Sequence, residues 1–281
     1  MTESPSRVVV TGAGGYLGPH VVAALADRGH DVVAVVRPGS QSATDPRATR
    51  FEADVLAPDF DVTSWGHAPR IVHLAWKDGF IHNSHAHMSQ LSAHYRLLVA
   101  AADAGTERIV ALGTMHEVGY WEGAITADSP TDPQSQYGIA KEALRRALPL
   151  AMPETVSLAW ARAYYIYGDD RRSNSIFRKL LEAADEGKTV FPFTTGKSLF
   201  DFIRVEELGR QLAALTDAPD VTGTINCSTG EPVSLADQVE RFITENDLQI
   251  SLEYGAFPDR PYDSPGVWGD ATEIREVMSR S

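Results

Sequence analysis

The run Thr11-Gly12-Ala13-Gly14-Gly15-Tyr16-Leu17-Gly18 constrains the fold more than any other stretch of this chain. It follows an apolar, β-branched run, Arg7 to Val10. It leads into His20 to Arg28, where Val, Ala and Leu recur at helical spacing. Gly12, Gly15 and Gly18 therefore stand at a strand-to-helix turn, the setting in which a glycine fingerprint signals a dinucleotide site. The first glycine makes the turn, the second lets backbone approach a pyrophosphate, and the third lets helix and strand pack closely. The helix N-terminus then stabilises the anion. The spacing G-x-x-G-x-x-G is one residue longer than the simplest form, and a plain glycine-rich turn is the alternative.

The alternation continues along the chain. Asp31 to Val36, Arg70 to Ala75, Arg108 to Leu112 and Val156 to Ala161 read as buried strands. Helical patterns over Ser89 to Ala104 and Tyr137 to Leu148 lie between them. Strands alternating with helices predict an α/β protein, a Rossmann-type doubly wound parallel sheet covered on both faces. Beyond Gly168 the order changes. A helix is predicted over Ile176 to Glu186, a strand over Thr224 to Cys227 and a helix over Leu235 to Glu245. The stretch from Tyr254 to Gly269 reads as irregular. The expected division is a dinucleotide-binding domain over 1–167, with a return strand near 224–245, and a smaller, mainly substrate-binding region over 168–281. Gly39 to Arg50 is polar and loop-like, the least ordered part of the first half.

Composition excludes some partners. The formal charge of -13 argues against a nucleic-acid partner, which wants a basic face. The single cysteine, Cys227, permits no internal disulfide and points to a reducing compartment. It sits in an apolar run and reads as a small core residue. The N-terminal residues run straight into a strand with no apolar signal-peptide region, and no stretch is long and apolar enough to span a membrane. The expectation is a soluble cytoplasmic protein with no membrane partner.

Chemistry enters with Tyr137-Gly-Ile-Ala-Lys141. Four residues apart on a helix, the phenol and the ammonium share a face. The ammonium is expected to lower the phenol's pKa, so the pair can exchange a proton with a carbonyl or an alcohol oxygen. The second strand bears on the cofactor. An NAD site wants an acid there for the ribose 2′-hydroxyl. Here the strand ends Val35-Val36-Arg37 with no acid, and Arg37 is placed to pair with a 2′-phosphate. A solvated arginine is the alternative. Asp54 and Val55, after the next short apolar run, are candidates to wall the adenine.

With these motifs in place, the chain resembles the extended short-chain dehydrogenase/reductases, the nucleotide-sugar epimerase/dehydratase-like group. The matching stretches are TGAGGYLG (Thr11 to Gly18), HLA (His73 to Ala75), GTMHEVG (Gly113 to Gly119), YGIAK (Tyr137 to Lys141), RAYYIYG (Arg162 to Gly168), FDFIRVEE (Phe200 to Glu207) and INCSTGEPVS (Ile225 to Ser234). They occur in family order over nearly the whole chain. The resemblance implies NADP(H), held by Gly12, Gly15, Tyr16, Leu17, Gly18, Arg37, Asp54, Val55, Leu74 and Ala75, with Tyr164 and Ile166 beside the nicotinamide. It makes Tyr137 the catalytic acid/base. Lys141 binds the nicotinamide ribose, and Thr114 bonds the reacting oxygen. The implied substrate residues are Lys77, Thr114, His116, Tyr165, Asn174 and Arg260, the last two where relatives hold a diphosphate. A nucleotide-sugar substrate and a homodimer follow from the same resemblance.

The departures lie on the substrate side. Dehydratase-like members carry Thr-Asp-Glu where this chain has Thr114-Met115-His116, so water elimination lacks its proton carriers. Ser89 and Gln90 stand where many relatives place asparagine, and Tyr165 does likewise. The chain ends at Ser281, short of the family's usual C-terminal helices. Five of the nine histidines lie between His73 and His94, but without a ligand pattern they read as a polar wall, and no metal is expected. The favoured reading is NADPH-dependent reduction of a nucleotide-activated keto-sugar, an NDP-4-keto-6-deoxyhexose. An epimerase that retains its nicotinamide, a reductase of small ketones or aldehydes, and a non-catalytic NADP sensor remain open.

Overall fold

The computed structural model describes residues 6–168, 171, 173, 175–258 and 264–280. The first half runs β1 (Arg7–Thr11), α1 (Gly18–Asp27), β2 (Asp31–Val36), β3 (Thr49–Glu52), β4 (Arg70–His73), α2 (Ala86–Asp103), β5 (Arg108–Thr114), β6 (Gly123–Ile125), α3 (Gln136–Ala151), β7 (Ser157–Ala163) and β8 (Tyr165–Tyr167). The second half runs α4 (Ile176–Asp185), β9 (Val190–Pro192), β10 (Leu199–Arg204), α5 (Val205–Thr216), β11 (Gly223–Cys227), β12 (Pro232–Ser234), α6 (Leu235–Glu245), β13 (Ser251–Glu253), β14 (Gly266–Gly269) and α7 (Thr272–Ser279).

Seven strands form one sheet in the order β11-β7-β5-β4-β1-β2-β3, every neighbouring pair parallel. The strands are near-continuous apolar runs because both faces are covered. Val8, Val10, Val32 and Ala34 pack beneath α1 and α5, with Leu25, Leu208 and Leu212. Val9, Val33, Val35 and Ile71 face the other way, against Trp65, Leu97 and Ala101. From β1 the chain winds outward to β2 and β3. It then returns to β4 on the other side and winds the opposite way. The order reverses between β1 and β4, and in such sheets the crevice at the strands' carboxyl ends there takes the ligand. The doubly wound sheet expected from the sequence is the fold observed.

Several elements differ from expectation. Helix α5 was not foreseen, although Val205, Leu208, Leu212 and Leu215 recur at helical spacing and are fully buried. Its Gly209 lies on α1, where a Cβ would come within 2.9 Å of the His20 carbonyl oxygen. Chain beyond residue 168 therefore extends the large sheet through β11 and covers it through α5 and the Ile274 and Val277 side chains of α7. The stretch read as irregular ends in β14, which pairs with β10 and β6. Residues 259–263 lie outside the described set. The polar loop after β2 is shorter than expected, because Thr49–Glu52 pairs with β2. Strands as short as β6, β8 and β14 lack the length to show a period.

A second sheet runs β12-β10-β14-β6, with β8 also on β10. Asp201, fully buried on β10, ties it together. Its carboxylate accepts from Thr229 N and Oγ1, Gly230 N and Gly269 N at 2.6–3.1 Å. Cys227 is fully buried, as expected of a core residue. Among the described residues no helix is long and apolar enough to cross a membrane.

Candidate active site

The site begins at the carboxyl end of β1. Gly12 has φ +73°, and a Cβ there would come within 2.6 Å of Ala75 N. A Cβ on Gly18 would meet Ala13 O at 2.4 Å. Both positions admit only glycine, one by backbone conformation and close approach, the other by helix packing. At Gly15 an added Cβ would meet Gly12 O at 3.1 Å. A cleft of about 490 Å³ opens here, lined by Gly12, Gly14, Gly15, Arg37, Asp54, Val55, Leu74, Ala75 and Lys77. That volume is ordinary for a cofactor site. Of the sequence-predicted cofactor residues the cleft brings together Gly12, Gly15, Arg37, Asp54, Val55, Leu74 and Ala75, and Lys77, expected on the substrate side, lies in it too. Leu17 turns its side chain into the core, so only its backbone faces the turn. Tyr16 reaches across to donate to Gly168 O at 2.5 Å.

The loop after β2 closes over the glycine turn. Ser42 Oγ donates to Gly14 O at 2.8 Å. Arg50 donates to Ser42 O at 2.9 Å and Ser40 O at 2.5 Å, and is held in turn by Glu52. Ser40 and Ser42 line the cleft and were not foreseen in the sequence. Arg37 lies in the same lining, and among the described residues it has no ion-pair partner.

Helix α3 presents Tyr137 and Lys141 one turn apart. Its first N–H groups are capped from outside. The Asn83 side chain accepts from Gln136 N at 3.1 Å, His82 O from Tyr137 N at 2.9 Å, and Ser135 Oγ from Gly138 N at 3.1 Å. Gly138 lets the turn after β5 come close as well, since a Cβ there would lie 2.4 Å from His116 O. The loop before α2 thus fixes the start of the helix bearing the phenol, a relationship between residues far apart in sequence.

Lys141 is buried and donates to Leu112 O at 2.6 Å, with Nζ 3.9 Å from the centre of the Trp76 ring and 5.9 Å from that of Tyr137. Burial pushes its ammonium down to about 7, opposed by the Glu117 charge. The expected lowering of the Tyr137 pKa is not found. Burial and the Glu117 carboxylate raise it above the ordinary phenol value, and the Thr114 hydroxyl pulls it part of the way back. The physical reason is that the lysine is engaged by Leu112 and Trp76 while the phenol is desolvated. Tyr137 is therefore a protonated donor at neutral pH.

Thr114 ends β5 and starts a short turn. His116 N donates to its Oγ1 at 3.3 Å, and Glu117 Oε1 accepts from Thr114 N at 2.8 Å. Glu117 was missed as a site residue. Its signal was the spacing Thr-x-x-Glu of a capping box. It is fully buried and faces Arg162 rather than the cleft, so it is placed to hold Thr114 and not to serve as the second acid of a dehydratase.

The histidines divide by position. His73 bonds Thr11 Oγ1 at 2.8 Å and His94 at 3.0 Å. Burial pushes the two down to about 3 and about 2, so both are neutral beneath the cleft. His82, His87 and His116 lie around Tyr137, with ring centres 5.2–6.2 Å from the phenol. Burial lowers His116 to about 4. Among the described residues no three metal-ligating side chains converge.

The remaining predicted residues fall as follows. Tyr164, expected beside the nicotinamide, turns its ring into the core, and its hydroxyl donates to Asn226 Oδ1 at 3.0 Å. Ile166 packs against the main core. Tyr165 packs on Phe200, ring centres 4.5 Å apart. Asn174 and Arg260 lie outside the described residues.

The model of the NAD dependent epimerase/dehydratase family matches residues 8–228. A dTDP-6-deoxy-L-talose 4-dehydrogenase (NAD(+)) of Aggregatibacter actinomycetemcomitans is 41% identical over 269 residues, covering 94% of this chain and 99% of that protein. The solved structure of MoeE5 in complex with UDP-glucose and NAD aligns with a TM-score of 0.77 at 25% identity, over 98% of this chain and 92% of the other. A UDP-glucose 4-epimerase of Thermotoga maritima, solved with UDP-glucose, shares the fold. Its TM-score is 0.80 at 18% identity, over 96% of this chain and 91% of the other.

Proposed function

The chain belongs to the NAD dependent epimerase/dehydratase family, and from that premise we propose that it interconverts a 4-keto and a 4-hydroxy group on a nucleotide-activated 6-deoxyhexose, working as an NADPH-dependent 4-ketoreductase. The family and the 41% identical relative make it a nicotinamide-dependent oxidoreductase acting on nucleotide sugars. The observation that carries the finer reading is the grouping of Thr114, Tyr137 and Lys141, with Lys141 against Trp76 of the cleft wall and Glu117 buried against Arg162.

The nicotinamide, when bound in the cleft, supplies or accepts the hydride. Tyr137, protonated at neutral pH, gives its proton to the carbonyl oxygen as that oxygen becomes an alkoxide. Thr114 orients the oxygen by hydrogen bonding. Lys141, one turn from Tyr137, would hold the nicotinamide ribose and stabilise the phenolate that forms. In the reverse direction Tyr137 takes the proton from the C4 hydroxyl. With no acid pair beside the phenol among the described residues, the site ends its work at hydride and proton transfer. Arg37, in the cleft lining and without an ion-pair partner among the described residues, supports NADP(H), although the A. actinomycetemcomitans relative is named for NAD(+).

The test is to supply dTDP- and GDP-4-keto-6-deoxyhexoses with NADPH or NADH, following absorbance loss and identifying the product by NMR. Stoichiometric cofactor oxidation with a new secondary alcohol at C4 supports the proposal. An isomerised sugar with no net cofactor oxidation overturns it in favour of an epimerase.

A further inference from the structure

Trp76 leaves the end of β4 two residues after Leu74 and forms part of the cleft wall. Three neighbours converge on its indole. Lys141 Nζ sits 3.9 Å from the ring centre, and His94 stacks on the ring at 4.3 Å with 15° between planes. The indole Nε1–H donates to His87 Nδ1 at 3.0 Å. An indole nitrogen only donates, so His87 Nδ1 is an acceptor and its proton is on Nε2. That Nε2–H points at Ile81 O, 2.9 Å away. His87 is 1% exposed, so these two bonds fix its ring orientation. Ile81 adjoins His82, whose carbonyl caps Tyr137 N. Asp78 braces the same loop, accepting from Ser84 Oγ at 2.7 Å and, through its carbonyl, from Ile81 N at 2.7 Å.

We propose that Trp76, held in place by His87, is a positioning residue for the catalytic pair: its ring face seats the Lys141 ammonium, and its N–H anchors the loop that caps the Tyr137 helix. The proposal rests on the site being a nicotinamide oxidoreductase's. A desolvated ammonium over an indole face is stabilised more than over any other side-chain ring. The groups facing Lys141 are Tyr137 on its own helix, Glu117 after β5, His73 on β4, His94 on α2 and Trp160 on β7. Of these only Glu117 bears a charge that favours the ammonium, and burial works against it. The aromatic face therefore favours the charged form of the lysine against the effect of burial.

Four variants test this: Trp76→Leu, Trp76→Phe, His87→Leu and His87→Gln. Dissociation constants of reduced dinucleotide, read by its fluorescence without sugar between pH 6 and pH 9, report on Lys141 directly. In Trp76→Leu the weakening of binding at rising pH is expected to begin about one pH unit lower than in wild type. Trp76→Phe, which keeps a ring, is expected to stay near the wild-type profile. With a turned-over sugar, His87→Leu is expected to lower kcat about tenfold with KM within about twofold. His87→Gln, which can both accept and donate, should recover most of that loss. A Trp76→Leu binding profile that superimposes on wild type overturns the proposal, as do equal losses in the two His87 variants. If Trp76→Leu does not fold, Trp76→Phe and His87→Leu carry the test. They remove the same hydrogen bond, so their effects on kcat should not add, and additive losses overturn the proposal. Failure to turn over any sugar would count against the proposed function and leave the binding measurement standing.

Discussion

Glu117 Oε2 lies 3.2 Å from Arg162 Nε, and neither side chain is exposed at all. The other carboxylate oxygen accepts from Trp160 Nε1 and from Thr114 N, both at 2.8 Å. Gly113 makes the arrangement possible, since a Cβ there would fall 2.1 Å from the Trp160 nitrogen. Burial raises the Glu117 pKa while Arg162 and the two N–H donors oppose it, and the donors are those an ionised carboxylate needs. A buried ion pair thus stands directly behind Thr114.

Replacing Glu117 by Gln should leave Arg162 charged and unpaired and set an amide donor against other donors. The expected loss is about 3–5 kcal/mol. Urea unfolding of Glu117→Gln reads it. Restoration of part of that loss by adding Arg162→Met would locate the cost in the stranded guanidinium. A loss under about 1 kcal/mol in the single variant contradicts this account.

Tyr137→Phe removes the proton donor and keeps the ring that packs among His82, His87 and His116. Turnover should fall about 10²–10⁴-fold with dinucleotide affinity unchanged. Steady-state rates together with a fluorescence titration separate the two quantities. Wild-type turnover in the variant would remove Tyr137 from the mechanism.

Arg37 decides the cofactor in this reading. One charge-assisted hydrogen bond to a 2′-phosphate contributes about 1.5–3 kcal/mol, so Arg37→Ala should weaken NADPH roughly 10- to 100-fold and leave NADH nearly unaffected. Dissociation constants for both cofactors in both proteins make the comparison. Equal wild-type affinities would place this chain with its NAD(+)-named relative.

Lys141 gives a pH signature. Its folded pKa of about 7 lies below the ordinary lysine value of 10.5. Between those values the unfolded chain binds a proton that the folded chain does not, so stability gains as pH rises. Below pH 7 both states are charged and the burial penalty is complete. The difference in melting temperature, wild type minus Lys141→Met, should therefore rise between about pH 7 and pH 9.5. A flat difference would show that the folded lysine keeps its ordinary pKa, and a falling one that its pKa is raised.

Local spacing was enough to read the parallel sheet, the glycine turn and the pair Tyr137 and Lys141. A strand buried on both faces is an apolar run, and a turn that must approach a pyrophosphate is written in glycines. A pair four residues apart on a helix meets wherever the helix lies. These features depend on neighbours within one turn or one strand, so the amino-acid sequence alone determines them. The tertiary structure decided the rest. Trp76 and His87 acquire their roles only because β4 and α2 bring Lys141 and the Tyr137 helix against them. Glu117 becomes a brace for Thr114 because β7 lies beside β5 and presents Trp160 and Arg162. Tyr164 turns into the core because Asn226 of the neighbouring β11 takes its hydroxyl. Tyr16 finds its acceptor 152 residues away at Gly168. The partners in these contacts are chosen by strand order and by which face of the sheet each side chain enters, and neither is encoded in the spacing of nearby residues.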